Sequence, residues 1–413
     1  MFKHQLLLVP VMAIVLLAAH AETTAVWTPF NNVQILPLFA TALAILLFVC
    51  SMLRRRPGPV YLVDYACFKP PASCRAPRSA FIEHTRLLNP DEQSVRYQTR
   101  LAETSGLGDE TCVPPALHSF PHRPSMEASR AEARLAIFSA IDDLLAKTGL
   151  DPGGINAVVV SCSIFSPAPS LSTMIVERYG LRSGTRSFNL SSMGCGGSIV
   201  SVDLARSLLR AHPDSTALVV GAEIITPCYY SGSHRSMQVP NCFFRMGGAA
   251  VLLSNRGTHR SRAKYRLAHV VRTHGGADDE AYRCIHQQED SDGHVGIFTT
   301  GDVLTKVGEA FRSNVTTLGP LMSLMSGQLR LLSSRFGRRF INPEWKPYVP
   351  DFRRHLEHFC VHVGGGAVIS TTQRMLELED GTWSRRGRRS TDSGTRRAAQ
   401  CGTSSTTSSR RGG

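Results

Sequence analysis

Three runs of unbroken apolar residues constrain the fold more than any other feature of the chain. They are GINAVVVSCSIF at 154–165, STALVVGAEII at 215–225 and GGAAVLLS at 247–254. A strand with one face in water alternates apolar and polar residues, whereas a continuous apolar run suits a strand covered on both faces. Helical patterns lie between and before these runs. Met126 to Thr148 is amphipathic, with Ala133, Ile137, Ile141, Leu144 and Leu145 as its buried face, and Ile199, Val200, Val202, Leu204, Ala205, Leu208 and Leu209 recur at helical spacing. Strands alternating with helices predict a layered α/β fold. PVYLVDYACFKP at 59–70 reads as a strand entering the domain, and residues 70–125, rich in Pro, Ser and charge, read mostly as loops.

The second of the helical patterns opens on a possible nucleophile. In SFNLSSMGCGGSIVSVDLARSLL, Ser187 to Leu209, Cys195 sits between small residues where a strand or loop turns into a helix. Unpaired amides and the helix dipole at such a start favour a thiolate, and small neighbours admit a substrate thioester. A buried cysteine in a glycine-rich turn is the plainer reading of this stretch alone.

Two apolar segments come first in the chain. Leu6 to Ala19 ends at Ala19-His20-Ala21, which also fits a secretory cleavage site. Val33 to Leu53 is long enough to cross a hydrocarbon core of ~30 Å, and Arg54, Arg55 and Arg56 follow it. Those arginines predict that the downstream chain stays in the cytoplasm, and the two segments together make a membrane hairpin with helices at about 6–19 and 33–53. The 11 cysteines show no zinc-site spacing and read as reduced, so no metal is expected. Of the net charge of +14, eight arginines and one aspartate place +7 in residues 381–413. The rest is only mildly basic, which argues against nucleic acid as a partner.

Several longer motifs, in order, carry a resemblance: VYLVDYACFKP, NLSSMGC, DLARSLLRAHPDSTALVVGAEIIT, PNCFFRMGGAAVLLSNR, VRTHGGADDEAYRC, INPEWKPYVPDF and EHFCVHVGGGAVI. Together they closely resemble the plant 3-ketoacyl-CoA synthases, the condensing enzymes of very-long-chain fatty acid elongation. The resemblance reaches from the membrane hairpin to about Glu379. It implies a thiolase-like αβαβα fold of two similar halves behind the hairpin, an endoplasmic reticulum membrane anchor with the catalytic domain facing the cytosol, and a Cys-His-Asn site. The organisation expected is a hairpin at 1–56, a first half at 57–245, an incomplete second half at 246–380 and a basic tail at 381–413.

By the same resemblance Cys195 takes an acyl group from acyl-CoA, malonyl-CoA loses carbon dioxide, and a histidine and an asparagine support the developing enolate. The family histidine falls on His362, while His358 and His274 match other histidines that the family carries. The substrates are two CoA thioesters with no further cofactor, and the partners implied are other elongase subunits, the membrane and a second copy of the chain. Gly196, Gly197 and Ser198 stand where the family has Ser-Ala-Gly, and Gly366 where it has arginine.

From Gly381 apolar periodicity ends. Ser390 to Thr403 matches a one-base shift of codons for the family's Leu-His-Arg-Phe-Gly-Asn-Thr segment and the serine run after it, so the tail is expected to be that segment out of frame. As written, the chain has no asparagine at the family position. The alternative to a condensing enzyme is therefore a non-catalytic membrane-bound elongase partner; a soluble polyketide synthase of the same fold is disfavoured by Val33 to Leu53.

Overall fold

The computed structural model describes residues 58–322 except 89, 90, 106 and 123, and beyond them only 333–334, 336–342, 345, 360, 362 and 371–372. The chain divides into two compact units, 1–57 and 58–413. The expected hairpin helices, the tail and His358 lie outside the described residues. No described helix is long and apolar enough to cross a membrane.

The second unit runs β1 (Val60–Cys67), α1 (Arg78–Leu88), α2 (Glu92–Thr104), α3 (Met126–Thr148), β2 (Ala157–Cys162), α4 (Leu171–Arg178), β3 (Arg186–Ser191) and α5 (Gly197–Ala211). It continues with β4 (Thr216–Glu223), α6 (Arg235–Phe243), β5 (Gly247–Ser254), β6 (Tyr265–Leu267), α7 (Asp279–Arg283), β7 (Ile285–Glu289), β8 (Val295–Thr299) and α8 (Val303–Met322). Six strands form one mixed sheet in the order β3-β2-β4-β5-β1-β6, and β7 and β8 form a separate hairpin. Strands β3, β2 and β4 are parallel, and β5 is antiparallel to both β4 and β1.

The continuous apolar runs are the centre of this sheet, and their period of two divides them between two cores. Val158, Val160, Leu218, Val220, Ala250 and Leu252 face one side, where they meet Ile137, Ile141 and Leu144 of α3. Ala157, Val159, Ala217, Val219, Val251 and Leu253 face the other side, where they meet Ala205 and Leu209 of α5. A helix thus covers each face, as the sequence predicts. Helix α3 begins at Ser125, whose Oγ accepts from the Ala128 amide at 3.1 Å, and ends at Gly149 with φ 64°.

One expectation needs correction. Helices α1 and α2 occupy much of the 70–125 stretch that composition assigns to loops. Asp91 caps α2 by accepting from the amides of Gln93 and Ser94 at 3.0 and 2.9 Å. The face that α2 buries is Ser94, Gln98 and Ala102, so it leaves no apolar stripe to be read. Strand β5 lies inside the six-stranded sheet, between β4 and β1.

Candidate active site

The parallel strands β2, β3 and β4 end together at Cys162, Ser191 and Glu223, and Cys195 lies at this end. After β3 the chain turns sharply through Ser192 (φ 58°) and Gly194 (φ 63°). Gly194–Gly196 then makes one 3-10 turn before α5 starts at Gly197. A non-glycine residue with positive φ is uncommon, and it marks a turn imposed by its surroundings.

Several contacts hold this turn. Ser163 Oγ donates to the Gly194 carbonyl at 3.0 Å. Asn189 Nδ2 donates to Ser191 Oγ at 2.9 Å, and that hydroxyl donates to Ser166 Oγ at 2.9 Å. A Cβ on Gly197 would stand 3.3 Å from Ser161 Cβ and 3.4 Å from Met193 Cβ, so the helix start packs against the end of β2 with little room for a side chain. The expected strand, turn and helix are all present, with Cys195 on the single turn that precedes the helix.

The electrical environment of the thiol is less expected. Residue Cys195 is accessible to solvent, yet enough protein surrounds it for burial to push its thiol pKa up. The Glu223 carboxylate pushes it further the same way. Both outweigh the local backbone amide, so the helix start alone does not produce a thiolate here. Glu223 accepts from the Ser163 amide with both oxygens at 3.0 Å. Burial raises its own pKa, and it raises those of Cys162 and Cys228 too.

A second buried carboxylate supports the same region. Glu132, on the α3 face, accepts from the amides of Ile225 and Thr226 at 2.9 Å each and from Thr226 Oγ1 at 2.6 Å. Burial exceeds the effect of these bonds and raises its pKa to about 7. Glu223 thus ties the end of β4 to the chain leaving β2, and Glu132 holds the chain leaving β4. Sequence reasoning missed both residues. The available signals were an acid ending an apolar strand in VVGAEII and an acid beside Ala133 on an apolar helix face.

Just beyond Glu223 is a cavity of about 190 Å³ on the α3 side of the sheet. Its walls include Phe81, Val113, Ile225, Tyr229 and Phe244, with His122 at 4.4 Å from the Tyr229 ring between centroids. Cys195 does not line it. Of the expected histidines, His274 is exposed and its Nδ1 accepts from the Gly276 amide at 3.1 Å. His362 is half-buried. Asn314 secures the segment before His274 by donating to the Val271 carbonyl at 3.0 Å and to Thr273 Oγ1 at 3.1 Å.

Comparison with known proteins places this arrangement. A family model described as FAE1/type III polyketide synthase-like protein matches residues 51–340. The chain belongs to that family. Within it, the chain is 51% identical over 377 residues to 3-ketoacyl-CoA synthase 5 of Arabidopsis thaliana, covering 90% of this chain and 77% of the relative. It is 50% identical over 379 residues to 3-ketoacyl-CoA synthase 6 of the same plant, covering 90% and 76%.

Solved structures share the family's thiolase-like fold. The C-terminal type III polyketide synthase domain of Steely1 from Dictyostelium superposes with a TM-score of 0.62 at 14% identity, over 83% of this chain and 90% of that one. Tetrahydroxynaphthalene synthase from Streptomyces coelicolor gives 0.62 at 18% identity, over 83% and 88%.

Proposed function

We propose that this family member is a 3-ketoacyl-CoA synthase that joins a long-chain acyl-CoA to malonyl-CoA in very-long-chain fatty acid elongation. The observation that carries the reading is Cys195, held on a tight turn at the start of α5, in a chain half identical to enzymes bearing that name. The relatives' names speak for turnover rather than for a non-catalytic partner.

In the first step the Cys195 sulfur attacks the acyl-CoA thioester, an acyl-cysteine bond forms and CoA leaves as its thiol, taking a proton. In the second, malonyl-CoA loses carbon dioxide, and the resulting carbanion attacks the acyl-cysteine carbonyl. The C–S bond breaks, 3-ketoacyl-CoA leaves, and the cysteine is regenerated. The two thioesters carry the activated groups, so no further cofactor is required. A thiol whose pKa is raised needs a base to remove its proton, and His362 is the residue we assign to that task and to the enolate. His274 and His358 are assigned supporting roles.

We further infer that Val33 to Leu53, with Arg54 to Arg56 after it, anchors the enzyme in the endoplasmic reticulum membrane with the second unit in the cytosol. There it would meet the other elongase subunits, and a second copy of the chain is a further candidate partner.

The test is a two-step assay on membranes carrying the full chain. Radiolabelled acyl-CoA should leave label on Cys195, and labelled malonyl-CoA should release carbon dioxide. Both signals should vanish in Cys195→Ala; turnover that survives that change would overturn the assignment.

A further inference from the structure

The end of the sheet opposite Cys195 is strongly basic. Residues 255–266 run from the end of β5 into β6 and read NRGTHRSRAKYR. They contain Arg256, Arg260, Arg262, Lys264 and Arg266 and no acidic residue. Arg260, Arg262, Lys264 and Arg266 are exposed, as is Tyr265 among them.

Register fixes where this loop lies. Ser254 pairs with Thr216 at the start of β4, whereas Gly247 pairs with Glu223 at its end. Eight residues of strand therefore separate the basic loop from the Cys195 end by roughly 23 Å. Helix α5 returns to the same basic end, where Asn255 Nδ2 donates to the His212 carbonyl at 2.9 Å and Arg206 donates to the Ala268 carbonyl at 3.4 Å. Arg210, in the last turn of α5, is also exposed, and the proximity of Arg206 adds to burial in lowering its pKa.

The acids paired with these cations are too few to balance them. Asp64 pairs with Lys264, Asp214 stands 3.9 Å from Arg256, and Asp203 stands 3.6 Å from Arg206. Arg262 is spent on a carbonyl, donating to Thr148 O at 2.8 Å, which sets its direction and leaves its charge uncancelled.

The chain enters the unit at this same end. Val60 pairs with Leu267, and Tyr61 pairs with both Ser254 and Arg266. Only six residues lie between Leu53 and Val60, a reach of at most about 25 Å, and Arg54 to Arg56 are among them. We propose that the 256–266 loop and the end of α5 form a docking surface for anionic phospholipid headgroups. Its exposed tyrosine among cations is the composition that a bilayer interface favours. The proposal rests on the membrane-anchor reading, and it gives that reading an orientation: the basic end lies against the bilayer and the nucleophile end points away.

Trypsin accessibility of the full chain in vesicles tests this. The vesicles are phosphatidylcholine alone, or phosphatidylcholine with phosphatidylserine. Cleavage after Arg260 and Arg262 should slow about five-fold or more in the anionic vesicles, the effect of one surface cation on its attraction to such a membrane. High salt should restore it, and cleavage after Arg283 should not change. In Arg260→Glu with Arg266→Glu, the remaining site at Arg262 should lose its protection. Equal cleavage in the two lipids, or equal protection in detergent, overturns the proposal and points to a protein on this surface. Carbonate extraction separates the two readings: a retained chain with an unprotected loop overturns the surface alone, while a chain that extracts overturns the anchor beneath it.

Discussion

Glu132 offers a prediction whose size follows from the structure. The residue is 2% exposed, and its carboxylate serves three donors, the amides of Ile225 and Thr226 and the Thr226 hydroxyl. Burial raises its pKa from 4.5 to about 7. Between those values the folded protein keeps a proton that the unfolded chain has released. Stability is therefore fullest below pH 4.5 and falls as pH rises through about 7. A separation of two to three pKa units at 1.36 kcal/mol each makes the loss about 3 kcal/mol.

Glu132→Gln removes the ionisation and keeps the shape. The amide oxygen still accepts one backbone N–H, but the amide nitrogen now faces the other, a loss of about 1–3 kcal/mol that does not depend on pH. Thermal unfolding of the detergent-solubilised full chain, from about pH 4.5 to about pH 8, reads the difference between the two proteins. At roughly 2 °C per kcal/mol, the wild-type melting temperature should fall relative to the variant by about 6 °C across that range. Parallel curves for the two proteins would refute the reasoning, because they would mean that Glu132 does not titrate in this window.

Other consequences can be checked singly. Glu223→Gln removes a charge that raises the Cys195 thiol pKa, so the pH profile for iodoacetamide labelling of Cys195, followed by mass spectrometry, should move to lower pH; an unmoved midpoint would remove Glu223 from the argument. Gly196→Ser should stabilise the chain by about 0.4–1 kcal/mol, since φ is −78° and nothing lies within 4 Å of the added Cβ; a lower melting temperature would show that the turn needs glycine there. Leu144→Ala opens a cavity beneath the sheet at a side chain with 0% exposure and should cost about 2–5 kcal/mol, read in the same thermal assay.

How much was legible in the sequence depended on what each element buries. Strands β2, β4 and β5 announce themselves because both of their faces are apolar, and α3 because Ala133, Ile137, Ile141 and Leu144 share one face. Helix α2 buries Ser94, Gln98 and Ala102, residues that no hydrophobic period distinguishes from a loop. The position of β5 was hidden for another reason: its apolar run specifies burial on two faces but not which strands it pairs with, and that is settled by β1 returning beside it.

The same distinction holds at the nucleophile. The turn around Cys195 was legible because its requirements are local: small residues, a change of backbone direction and a helix beginning. Its electrical state was not legible, because Glu223 reaches it from another strand and acts through space. That difference bears on mechanism. A helix start able to generate a thiolate by itself would need no base from elsewhere in the chain for acyl loading. Here burial and then Glu223 both oppose ionisation of the sulfur that the turn presents. On the proposed assignment, reactivity then depends on bringing His362, from a distant part of the chain, to the sulfur as its base.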